Sequence, residues 1–154
     1  MKAEDFFNAY LVLKENNEAK HPTVGVEIVC LAFSVELYIK DLHFAIKGEA
    51  LRGHDIRKLF EALPEQIRQE IFAHDSISQN PFITRGDIFS IKRFTGTYSA
   101  YDGFIDHIDA ISKGFEKWRY SYESTTLQYD VSFALAFIDA LKSAACRART
   151  NVRQ

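Results

Sequence analysis

The chain has 154 residues, of which 47% are hydrophobic, 14% aromatic and 26% charged. That is enough for one domain spanning residues 1–154 with a sizeable buried core, and it excludes a disordered or low-complexity chain. A net charge of −2 and a pI near 6.2 remove any general electrostatic attraction to nucleic acid and leave room only for a local basic patch.

Phe6, Phe7, Tyr10, Leu11 and Leu13 recur at three- and four-residue steps and predict a first helix that stops near Asn16-Asn17. Pro22, with Thr23 as a competing start signal, opens a second helix that runs to about Lys47. Its expected buried face is Val26, Val29, Cys30, Phe33, Leu37 and Phe44, widened by Ala32, Val35 and Ile39. Gly48 and Gly53 bracket the next loop, and Asp55 is placed to cap a third helix carrying Ile56, Leu59, Phe60 and Leu63. Pro64-Glu65 opens a short fourth helix with Ile67, Ile71 and Phe72 on its apolar side.

The polar stretch from Asp75 to Gly86, with Asn80-Pro81 inside it, predicts a long loop. Helical patterning returns at Asp87, breaks at Thr95-Gly96-Thr97, and resumes through Tyr101, Phe104, Ile105, Ile108, Ile111, Phe115 and Trp118. A last helix from about Asp130 to Arg147 carries Val131, Phe133, Ala134, Phe137, Ile138 and Leu141. No strand pattern or internal repeat competes, so the expected fold is all-α, an antiparallel bundle of five or six helices.

Cys30 and Cys146 both fall in apolar helical patterns and are expected to be reduced core thiols. The N-terminus turns acidic before an apolar run develops, and Glu27, Glu36, Lys40 and Asp41 interrupt the best candidate for a membrane span. The expected location is therefore cytoplasmic, with no membrane contact.

Several polar residues stand out. Glu36 and Lys40 are four apart in the order that favours an intrahelical pair, yet they sit in a widely apolar helix. A buried carboxylate needs a partner, and Arg119 is the expected one, giving a polar tie of Glu36, Lys40 and Arg119. His54, beside Arg52 and Arg57, is either a binding group in a cleft or an imidazole that hydrogen-bonds across its loop. Arg52, Arg57, Lys58 and Arg68 could form a basic strip, but Glu61, Glu65 and Glu70 interleave with them. Trp118, Tyr120 and Tyr122 fit a core or a dimer interface better than base stacking. Glu18-x-x-His21 is half of a di-metal pattern with no second half, and no metal or cofactor is expected.

Ser34-x-Glu36-Leu37-x-x-Lys40-Asp41-Leu42, then Gly53-His54-Asp55-Ile56-x-x-Leu59-Phe60, then Phe115-Glu116-Lys117-Trp118-Arg119-Tyr120-x-Tyr122-Glu123 resembles the HEPN family, in particular its uncharacterised members. The resemblance implies a helical bundle that forms a homodimer. In nuclease members it also implies an Arg, four to six residues, and a His that cut RNA without metal. There the histidine handles the ribose 2′-hydroxyl proton and the arginine stabilises the phosphorane charge.

No histidine follows Arg119 at that spacing; the match falls instead on Arg68 and His74. Positions six apart on an unbroken helix lie about 120° from one another, so these two side chains would not converge. The expected function is thus a non-catalytic dimeric interaction module, with RNA or a protein as partner. The alternative is a metal-independent endoribonuclease toxin of a toxin–antitoxin or defence system, acting through Arg68 and His74 and held by an antitoxin-like protein.

Overall fold

A computed structural model of the chain describes residues 2–18, 25–85, 98–112 and 129–151. Two long helices come first, α1 (Ala3–Glu18) and α2 (Val26–Lys47). They run antiparallel: Phe6 stacks on Phe33, with ring centroids 5.2 Å apart, and Glu4 meets Tyr38 further along α2. Gly48 ends α2 in the left-handed conformation, φ 71°, donating its N–H to the Phe44 carbonyl at 2.8 Å. That cap favours glycine because a Cβ is strained at positive φ.

Four short helices follow: α3 (Ile56–Glu61), α4 (Glu65–Phe72), α5 (Asp75–Ser78) and α6 (Pro81–Arg85). After them come α7 (Ala100–Ser112) and α8 (Val131–Asn151). Every described element is helical, and none is long and apolar enough to cross a membrane.

Residues 75–85 differ from the loop expected there. His74 accepts from the Ser76 N–H at the start of α5, and the Asn80 side chain accepts from the Phe82 N–H at 3.0 Å ahead of α6. Pro81 takes the first turn of α6, where its missing N–H costs nothing. Ile77 and Ile83, fully or almost fully buried, anchor these two turns in the core. The segment reads as polar because two apolar anchors in eleven positions are too sparse to set a periodicity. Eight helices among the described residues therefore stand against the five or six expected.

The core is built on rings. Phe104 of α7 lies at the centre, with Phe60, Phe72, Tyr101, Phe133 and Phe137 around it at centroid distances of 5.5 to 5.9 Å. Edge-on and tilted pairs of this kind each contribute about 0.5–1.5 kcal/mol beyond the area they bury. They join α3, α4, α7 and α8 into one body.

Of the face expected for α2, Ala32, Val35 and Ile39 are buried, joined by Leu31 and Leu42; Val29, Cys30, Phe33 and Leu37 are half-buried, and Val26 and Phe44 are more than half exposed. Ser34, Glu36, Tyr38 and His43 are buried with them. Each has a polar partner, so polarity did not force it to the surface. Cys146 is likewise exposed rather than a core thiol, because α8 turns Ala144 and Ala145 inward and Cys146 outward; both cysteines are free. The start of α2 at Pro22, His21, the Thr95-Gly96-Thr97 break, Phe115, Trp118, Arg119, Tyr120 and Tyr122 lie outside the described residues.

Candidate functional site

The loop between α2 and α3 is where the polar candidates gather. Gly53, at φ 100°, turns the chain so that His54 points back to α2. The Nδ1–H of His54 donates to the Glu36 carboxylate, 3.0 Å from one oxygen and 3.2 Å from the other. A carboxylate only accepts, so Nδ1 carries the proton. One turn along α2, Lys40 donates to the same carboxylate at 2.6 Å. Glu36 is 5% exposed, and His54 covers it from the solvent side. His43 completes the anchoring of this loop by donating from Nδ1 to the Glu49 carbonyl at 3.1 Å. The expected third partner, Arg119, lies outside the described residues.

Asp55 caps α3, accepting from the Lys58 N–H at 3.2 Å and from the Ser112 hydroxyl at 2.9 Å. The next residue but one, Arg57, reaches Glu61 at 2.6 Å and Asp109 of α7 at 3.3 Å. Arg52 is exposed on the loop. The basic strip read from the sequence is thus matched carboxylate by carboxylate at Arg57, and Lys58 lies 3.9 Å from Asp55.

Arg68 and His74 face different neighbours. Arg68 pairs with Glu65 on its own helix and lies beside Tyr101 of α7. Its Nε and the Tyr101 hydroxyl are buried with no hydrogen-bond partner among the described residues. His74 accepts from the Ser76 N–H at 3.3 Å and sits 3.9 Å from Asp139 of α8. Ser76 in turn donates to the Ala136 carbonyl at 2.9 Å. No hydrogen bond or ion pair joins Arg68 to His74 among the described residues.

Two polar groupings carry no obvious sequence signature. In the first, His107 of α7 has Asp130 2.9 Å from Nδ1 and the Phe82 carbonyl 3.0 Å from Nε2. Its ring stacks on Phe133 at 5.1 Å. The hydrogen bond to Asp130 raises the imidazole pKa above its ordinary value and lowers that of the carboxyl. Asp130 also caps α8 through the Phe133 N–H at 2.9 Å. An aspartate directly ahead of an apolar helix is a capping signal; nothing in the sequence marks His107 as its partner.

The second grouping joins α1, α2 and α8. Tyr38 donates to Glu4, Lys142 donates to Glu4 at 3.2 Å, and the Lys142 ammonium lies 4.4 Å from the Phe7 ring centroid and 5.2 Å from that of Tyr38. The hydrogen bond from Tyr38 holds the Glu4 carboxyl below its usual range; burial, then the hydrogen bond to Glu4, push the phenol up. Glu4, Tyr38 and Lys142 line an open groove of about 760 Å³. Their partners are 34 and 138 positions away, beyond the reach of local pattern.

No group of three or more His, Cys, Asp or Glu among the described residues could hold a metal ion. Compared with models of known families, with curated proteins and with solved structures, the chain matches none.

Proposed function

We propose that the chain is a non-catalytic, homodimeric interaction module of HEPN-like type, and that its partner is a protein. One observation carries this reading. Apart from Arg52, the candidate side chains for an RNA backbone or a cleavage reaction are engaged within the fold: His54 with Glu36, Arg57 with Glu61 and Asp109, Arg68 with Glu65, and His74 with Ser76. Surface pairs are individually weak, but each cation beside a carboxylate attracts a phosphate less than an isolated cation does.

Light scattering of the purified chain tests the dimer, which is expected at twice the 17.7 kDa of one copy. Titration with labelled RNA at two salt concentrations tests the partner class. Tight binding that weakens steeply with salt would replace the protein partner with RNA. Incubation with structured and single-stranded RNA in EDTA tests the nuclease alternative: cleavage abolished by His74→Ala would overturn the non-catalytic reading.

A further inference from the structure

The groove between α1, α2 and α8 has the make-up of a ligand site. Its volume, about 760 Å³, is in the range that encloses a small organic molecule. Ala3, Ala145 and the ring of Tyr38, all nearly buried, give it an apolar floor. Three cations line it, Lys2, Lys142 and Arg149, against two carboxylates, Glu4 and Asp41, so one positive charge is left over.

The charges are also unevenly committed. Glu4 is held by the Tyr38 hydroxyl and the Lys142 ammonium, and Lys142 is further fixed over two rings. Neither the Lys2 ammonium nor the Arg149 guanidinium has a carboxylate partner among the described residues. A guanidinium presents paired N–H donors that match a carboxylate or sulfonate. Tyr38 and Glu4, two of the groups whose acidity the fold perturbs, lie in the groove wall, as is common where a site is built.

We propose that this groove binds a small organic monoanion, its charged head at Arg149 and Lys2 and its apolar body against Ala3, Ala145 and the Tyr38 ring. The apolar floor distinguishes such a ligand from an inorganic anion, and the leftover positive charge distinguishes it from a neutral or cationic one. The site does not depend on whether the chain dimerises or binds a protein.

Naphthalene-2-sulfonate, titrated into the full chain and followed by amide NMR, tests it. The expected result is saturable shifts at Ala3, Tyr38 and Cys146 with a Kd below about 1 mM. Inorganic sulfate and the neutral 2-naphthalenemethanol are each expected to bind at least about tenfold more weakly. Arg149→Glu and, separately, Lys2→Glu should weaken sulfonate binding by a similar factor; both residues are exposed, and circular dichroism should show an intact fold. Absence of saturation, shifts confined to another face, equal binding of sulfate alone, or unchanged affinity in both charge-reversed variants would each overturn the proposal.

Discussion

His107 holds two acceptors at once, the Asp130 carboxylate at 2.9 Å from Nδ1 and the Phe82 carbonyl at 3.0 Å from Nε2. A neutral imidazole has one N–H and can satisfy only one of them, so this geometry is that of the imidazolium. Three pieces of the fold, α6, α7 and the start of α8, meet on that single protonated ring.

Stability should therefore vary with pH in a defined window. The His107 pKa is raised by folding, so its contribution is complete below the ordinary value near 6.5 and is lost as pH rises through the folded value. The Asp130 pKa is lowered, so its contribution is complete above the ordinary value near 3.8 and is lost as pH falls through the folded value. Between those limits Asp130→Asn, which keeps the helix cap, should cost about 1 kcal/mol or less. Thermal melts from pH 5 to 9 should show wild type and variant converging at the alkaline end; a constant gap would contradict the pairing.

Removing His54 should expose a coupling between two residues at α2. Among the described residues His54→Ala leaves the buried Glu36 carboxylate with Lys40 alone, at a cost of about 1–2 kcal/mol. Glu36→Gln combined with His54→Ala should be less destabilising than the sum of the two changes. A double-mutant cycle by urea unfolding measures this coupling, and additive effects would show that the bond carries no energy.

Phe104→Ala should be the most damaging of the aromatic truncations, by about 3–5 kcal/mol, because it opens a space among five rings. Phe82→Ser, at a side chain 83% exposed, should change stability by no more than about 0.5 kcal/mol. Chemical denaturation of both variants gives the comparison.

The two thiols should separate in reactivity. Cys146 is exposed on α8, whereas Cys30 is partly buried and its pKa is raised by that burial and by Glu27. Native protein treated with a thiol-specific disulfide reagent at pH 8 should release one fast equivalent, removed by Cys146→Ser. Two fast equivalents would place Cys30 at the surface too.

The helices were legible where apolar residues repeat and where a cap follows a glycine, as at Gly48 and at Asp55 ahead of α3. Burial within a helix was less so. Hydrophobicity alone puts Val26 and Phe44 of α2 inside, but Glu36, Tyr38 and His43 take interior positions because their partners lie on other segments. Local pattern does not register a hydrogen bond 18 or 34 positions away. For the same reason no local pattern marks Tyr38, Glu4 and Lys142, although together they wall the groove between α1, α2 and α8.

The ring cluster at Phe104 also sets an order of events during synthesis. Phe60, Phe72, Tyr101 and Phe104 leave the ribosome before Phe133 and Phe137, which close the cluster from α8. Until α8 has emerged, Phe104 lacks two of the five ring neighbours it has among the described residues, and an apolar surface stays open to other nascent chains. A chain cut before residue 131 would carry that unfinished surface permanently.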